Sequence, residues 1–344
     1  MSDPALPPHL LAVPIVGAPL AGGPTTPALA AAVCEAGGLG FLAAGYLTAA
    51  AFAADIDAVR GLTSWPFGAN IFYPTREDVD PAELAAYAER LAPEASRHGV
   101  AVGDPRWTDD DWEAKLEVVR RERPAVVSFT FGCPDRDIVE ELRAAGSSVW
   151  CTVTSPAEAE EADSAGVDAL VVQGGEAGGH QGSFRDGSDD PFPLLTLLQL
   201  VRRMTNLPLV AAGGIATTEA IAGVLAAGAC AAQLGTALLL TPESGTASAY
   251  RQALHGDRPT KLTRAFTGRR ARGIVNRFML EHDGVAPSGY PEVHYVTAPI
   301  RAAARTSGDG EAINLWAGQS YQLTRDRPAS ELVEELAHGL DGRP

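Results

Sequence analysis

Residues 207–236 read LPLVAAGGIATTEAIAGVLAAGACAAQLGT. An apolar run over 207–212 ends in the glycine pair Gly213–Gly214. A helical pattern follows. Thr217 and Thr218 supply cap side chains, and Ile221, Val224 and Leu225 are spaced to face one side. Gly228 ends that helix, because glycine accepts the left-handed conformation cheaply just past a helix end. A second apolar run, 230–235, completes a strand, glycine turn, helix, strand unit.

The same alternation extends toward the N-terminus. Apolar runs at 13–17, 39–43, 67–72, 126–131, 149–153 and 169–173 are each followed by a helical, mostly Ala-rich pattern. The runs are continuous rather than alternating, as a parallel sheet covered on both faces requires. Start signals mark the helices. Thr26-Pro27 precedes Ala28, and Ser155-Pro156-Ala157-Glu158 reads as a capping box with proline at the first helical position. Eight strand-then-helix units predict an α/β fold, a (β/α)8 TIM barrel over residues 1–240. An open doubly wound sheet is the competing arrangement.

Two stretches break the pattern. Residues 74–124 are long and acidic, with two helical segments, and decorate the barrel between strands three and four. Beyond strand eight the chain becomes richer in Arg and carries turn clusters at 286–289 and 307–310. We read residues 241–313 as a lid subdomain over the barrel mouth. Residues 314–344 return to the barrel through an amphipathic helix at 330–340, with Leu332, Val333, Leu336 and Leu340 on one side.

Composition narrows the function. The 344 residues carry a formal net charge of −16, which argues against general nucleic-acid binding, since that needs phosphate-neutralising Lys and Arg. Cys34, Cys133, Cys151 and Cys230 form no CxxC pair and no zinc-finger spacing. They read as small buried hydrophobes in a reducing compartment. The N-terminus has no basic region, and the Ala-rich stretch at 43–54 is too short to span a membrane. A cytoplasmic protein with no membrane partner is expected.

Barrel chemistry sits in the loops after the strands, and phosphate commonly binds after strands seven and eight. Here those loops are Gly213-Gly214 and Gln233-Leu234-Gly235-Thr236. Glycines let backbone N–H groups approach a phosphate, a helix N-terminus adds partial positive charge, and Thr236 adds a hydroxyl. The loop after strand six, QGGEAGGHQG at 173–182, holds five glycines in ten residues. It suits close approach to a flat ligand, with Gly178 and Gly179 beside it. The Gln173 amide is placed to bond the polar edge of an isoalloxazine ring. His180 is the histidine placed to donate, accept or carry charge near neutral pH. Asn70 ends strand three, and Ala18-Pro19 follow strand one, both at the same rim. Cys133 follows strand four as a possible wall residue. His282 and His294 lie in the lid. No metal site is read, because Glu176 is the single acidic residue near His180.

These motifs resemble the nitronate monooxygenase family, formerly called 2-nitropropane dioxygenases. The resemblance rests on GAP (17–19), GAN (68–70), QGGEAGGHQG (173–182), AAGGI (211–215), QLGT (233–236) and WAGQ (316–319). It implies non-covalent FMN held by Asn70, Gln173, Gly178, Gly214 and Gln233 to Thr236, with His180 beside the flavin. It further implies oxidation of alkyl nitronates by O2 to a carbonyl compound and nitrite, with a protonated or donating His180 stabilising the anionic substrate. A flavin-dependent enoyl-thioester (enoyl-ACP) reductase of the same superfamily, using NAD(P)H, shares the EAGGH loop. WAGQ favours the nitronate enzymes. One departure stands out: where the family pattern is SFHFG, this chain has Ser128-Phe129-Thr130-Phe131-Gly132.

Overall fold

The computed structural model describes residues 6, 9–76, 78–186 and 190–340. Eight parallel strands form one sheet: β1 (Ile15–Gly17), β2 (Phe41–Ala43), β3 (Gly68–Phe72), β4 (Val126–Thr130), β5 (Ser148–Val153), β6 (Ala169–Gln173), β8 (Leu209–Ala212) and β9 (Ala231–Leu234). β7, Gly179–His180, belongs to a second sheet. The order β1-β9-β8-β6-β5-β4-β3-β2 closes on itself. Leu39 accepts from Gly17 N–H at 2.9 Å, and its own N–H donates to Ile15 O at 3.0 Å. This is the (β/α)8 barrel rather than an open sheet. Strands one and seven are shorter than their apolar runs because Pro14 and Pro208 lack the N–H a ladder needs.

Successive strand residues point to opposite faces. Val16, Phe41, Trp150, Val171 and Val210 fill the barrel interior. Ile15, Leu42, Cys151, Leu170 and Leu209 face the helices. Helix starts follow the caps in the sequence. Thr26 Oγ1 accepts from Leu29 N–H at 3.0 Å to open α1 (Pro27–Glu35). Ser155 Oγ accepts from Glu158 N–H at 3.3 Å to open α6 (Pro156–Ala165). The return half of that capping box differs: Glu158 Oε2 accepts from Thr154 N–H at 2.6 Å. Its other oxygen takes Phe184 N–H at 2.9 Å, so this carboxylate ties the cap to the loop after β7.

The 74–124 insertion divides its loyalties. Its α4 (Trp112–Glu122) packs beside α2 (Ala49–Leu62) on the barrel. Its α3 (Pro81–Arg97) packs on α11 (Glu292–Ser307) instead. Leu84, Tyr87 and Leu91 of α3 join Phe266, Phe278, Val293 and Val296 in a second core. The lid is thus assembled from two separate parts of the chain. It also contains the antiparallel pair β10 (Thr260–Thr263) and β11 (Ala271–Ile274), and β7 adds to β11 through the His180–Ala271 pairing. The final helix α12 (Ala329–His338) packs on α1, burying Leu332, Val333 and Leu336. Among the described residues no helix is long and apolar enough to cross a membrane.

Trp150 is fully buried inside the barrel, and its indole N–H donates to Ser148 Oγ at 2.9 Å. Trp150→Ala is expected to remove about 3–5 kcal/mol of folding stability, read as a lower urea midpoint with an unchanged slope.

Candidate active site

A cavity of about 530 Å3 opens at the carboxyl ends of the barrel strands. It gathers nearly every residue singled out in the sequence: Ala18, Pro19, Asn70, Gln173, Gly178, Gly179, His180, Gly213, Gly214, Gln233, Gly235 and Thr236. Two residues named from the sequence keep their side chains out of the cavity. Leu234 alternates with Gln233 and therefore turns its side chain away, into the layer between sheet and helices, where it is fully buried. Cys133 is buried in the same layer rather than on the cavity wall.

The loops after β8 and β9 build one end. Gly213 and Gly214 have φ of +116° and +70°, values that glycine adopts readily and other residues rarely. Directly behind them Thr217 caps α8 (Thr218–Ala226), accepting from Ala220 N–H at 3.3 Å. Thr236 Oγ1 accepts from Gly318 N–H at 3.0 Å, which leaves the Thr236 hydroxyl proton to donate. Gln233 forms no side-chain hydrogen bond to a described residue, so its amide is available to a ligand. Asn70 is 2% exposed. Its Nδ2 contacts Ser128 O (3.1 Å), Ser128 Oγ (2.9 Å) and Thr130 Oγ1 (3.0 Å). Its Oδ1 remains an acceptor for a ligand. Thr130, in place of the family histidine, is part of this neutral network and lies 3.4 Å from the Thr152 hydroxyl.

The Gln173 amide does something other than expected. Its Nε2 donates to His180 O at 3.2 Å and its Oε1 accepts from Gly182 N–H at 2.7 Å. Both ends brace the histidine loop. The loop is pressed from behind by the 316–319 segment: a Cβ on Gly178 would lie 2.4 Å from Gly318 N and 2.6 Å from the Ala317 carbonyl carbon. Gln319 N–H donates to Glu176 O at 3.0 Å. The Glu176 carboxylate accepts from Leu194 N–H at 3.0 Å, capping α7 (Leu194–Arg202).

His180 Nε2 lies 2.9 Å from Thr267 Oγ1, whose single proton can go to that nitrogen or to Arg269 O at 3.1 Å. Burial, then the nearby Arg269 charge, lowers the His180 pKa from 6.5 to about 3. The neutral imidazole keeps one donating and one accepting nitrogen, with Nε2 engaged by Thr267.

The rest of the wall comes from residues the motifs did not name. Tyr46 and Phe131 both hold positive φ, 68° and 77°. That region is strained for bulky side chains and concentrates at functional sites. Tyr46 is held by its N–H, which donates to Asp110 Oδ1 at 3.0 Å, and Asp110 pairs with the fully buried Lys115 at 2.7 Å. The Tyr46 ring stacks on His294, with centroids 4.4 Å apart and planes 3° from parallel. Phe131 meets His180 edge-on at 5.7 Å. Arg301, 5% exposed, completes this side.

The matching family model is nitronate monooxygenase, over residues 5–339. The chain belongs to the nitronate monooxygenase family. It is 41% identical over 339 residues to a nitronate monooxygenase of Pseudomonas aeruginosa, covering 96% of each chain. Among solved structures it is similar to nitroalkane oxidase from Streptomyces ansochromogenes, at 51% identity and a TM-score of 0.94, covering 96% of each chain. FabK from Thermotoga maritima is more distant, at 27% identity and a TM-score of 0.74, covering 97% of this chain and 94% of that one. Family membership makes this protein an enzyme, an oxidoreductase.

In this family member the lid histidines divide. His294 lines the cavity, whereas His282 is buried inside the lid. Ligand atoms of Glu94, Glu281 and His282 do lie within 4.8 Å of one another. Arg277 pairs with both Glu94 and Glu281, and Arg97 with Glu94 at 2.9 Å. Guanidinium charge already occupies those carboxylates, so the cluster is an ion-pair network. Tyr46, Thr267 and Arg301 lie in segments without a local motif. The Arg-rich composition of the lid was the one signal for Arg301.

The pKa of His180 sets a stability prediction. The folded value is depressed, so its contribution is present above about 6.5 and is lost as pH falls toward about 3. In that range the unfolded chain takes up a proton that the folded chain refuses. The melting temperature of the His180→Gln protein is expected to fall less steeply with acidification than that of the wild type. Parallel curves would exclude a buried neutral His180.

Proposed function

We propose that this protein oxidises alkyl nitronates with molecular oxygen, giving a carbonyl compound and nitrite, and that FMN is its cofactor. One observation carries the reading: a histidine, His180, stands in a cavity bounded by the glycine turns after β8 and β9. Those turns fit a phosphate. Gly213, Gly214, Gly235 and Thr236 would hold it, with the N-terminus of α8 adding partial positive charge. Gln233 and the Asn70 Oδ1 offer free polar groups to the edge of a flat ring, and Gly178 and Gly179 leave room beside it. When bound, FMN supplies the redox step between nitronate and oxygen.

The protein's own part is positioning. The nitronate enters as an anion, so no proton is taken from it, and the neutral His180 imidazole orients it at the cavity wall. Thr267 keeps the imidazole from turning, because it engages Nε2. The aromatic wall of Tyr46, Phe131 and Trp316 strips water from the substrate, which strengthens every electrostatic contact inside. The four free cysteines support a reducing, cytoplasmic setting.

Anaerobic addition of a nitronate to the purified flavoprotein is expected to bleach its visible absorbance, and oxygen to restore it. Bleaching by NADH with none by nitronate would instead favour the enoyl-thioester reductase. His180→Ala is expected to keep FMN while losing at least about a hundredfold in turnover; unchanged turnover removes His180 from the chemistry. Gly214→Asp is expected to purify without flavin, because its carboxylate would face the phosphate. Retention of stoichiometric FMN would move the phosphate elsewhere.

A further inference from the structure

The lid's share of the cavity wall carries positive charge that no carboxylate balances. Arg301 Nε donates to Thr297 Oγ1 at 2.9 Å, and its Nη2 donates to His294 O at 2.8 Å. Its Nη1 lies 3.5 Å from Asn314 Oδ1, and Arg305 Nη2 donates to that same oxygen at 2.8 Å. Every one of these partners is neutral. Among the described residues neither guanidinium forms an ion pair. A buried cation with only neutral acceptors is costly unless an anion completes it. Both side chains line the cavity.

Arg301 also fixes its neighbour. Its Nη2 reaches His294 Nδ1 at 3.2 Å. A guanidinium has donors and no acceptor, so Nδ1 must be the accepting nitrogen and the ring proton sits on Nε2. The His294 Nε2 makes no hydrogen bond to a described residue, and the ring lines the cavity. The parallel stack on Tyr46 holds the ring in place. Burial and the Arg301 charge push its pKa well below 6.5, so the ring stays neutral and keeps this tautomer. Of the two cavity histidines, His294 is therefore the one fixed in the sense that presents an N–H to the cavity.

We propose that His294 Nε2–H and the Arg301 guanidinium form an oxyanion recess that binds the two oxygens of the nitronate group. This rests on the nitronate reading above. The recess takes a planar, negatively charged NO2-type group. Arg305 reinforces the field through their shared partner Asn314. Arg301 is also the positioning residue for His294.

Nitrate, a planar trigonal oxyanion, is the probe. Its binding to the flavin-loaded protein is followed by the flavin difference spectrum and by quenching of Trp316 fluorescence, with nitronate kinetics measured in parallel. His294→Phe keeps a ring on Tyr46 and removes the N–H. It is expected to raise the nitrate Kd and the nitronate KM by about tenfold to a hundredfold, the loss of one hydrogen bond to a charged group. The kcat is expected to change far less. His294→Gln, which keeps an N–H donor, is expected to recover part of the loss. Arg301→Lys, which keeps the charge, is expected to bind nitrate better than Arg301→Gln. A wild-type protein that ignores nitrate, or a His294→Phe protein that binds nitrate and nitronate as before, overturns the recess. Nitrate binding that His294→Phe abolishes, in a protein that no nitronate bleaches, keeps the oxyanion recess and removes the nitronate as its occupant.

Discussion

Gly179 and His180 belong to two structures at once. They follow the barrel strand β6 within one loop, and they pair with β11 of the lid. The loop can reach both because Gly178 has no side chain where Gly318 and Ala317 press against it. Gln173 then ties the loop to the strand end, holding His180 O and Gly182 N–H with the two ends of one amide. Place a bulkier residue at Gly178 and the backbone must retreat, carrying His180 away from Thr267. The position of the central imidazole, the packing of Phe131 against it and the seat of the lid all depend on this contact.

Electrostatics follow from that placement. The lid buries His180 among aromatic rings and near Arg269, and both effects disfavour the imidazolium. The same lid brings in Arg301 and Arg305 without carboxylates. The chain as a whole is strongly acidic, with a net charge of −16. Yet the inner wall is positive, because local geometry and not net charge sets the field in a cavity.

Backbone strain is concentrated at the same place. Tyr46 and Phe131 sit in the left-handed region with large side chains. The Asp110–Lys115 pair holds the first, and the packing of Phe72, Tyr290 and His180 around the ring holds the second. The neutral network of Asn70, Ser128 and Thr130 lies beneath them. Threonine at position 130 keeps a hydrogen-bonding group there and brings no titratable one.

How much of this was legible in the sequence differs between fold and site. The barrel was readable because each unit is local: an apolar run, a glycine, a cap and a helical face lie within about 30 residues. The glycine turns and the histidine loop were readable for the same reason, since a phosphate-type turn needs no distant partner to be recognised. The sequence did not reveal that the Gln173 amide braces the histidine loop or that the Leu234 side chain turns into the layer between sheet and helices, because direction at a strand end depends on which face meets the cavity. It did not place Tyr46, Thr267, His294 or Arg301, which come from separate loops and from a helix of the lid. Their roles arise from long-range packing of α3 against α11 and of β7 against β11. The chain thus determined by itself the barrel and its glycine-lined rim. Only the tertiary structure decided which nitrogen of His294 carries its proton and where positive charge is left unpaired, because a proton's position and a charge's balance are fixed by neighbours far apart in sequence.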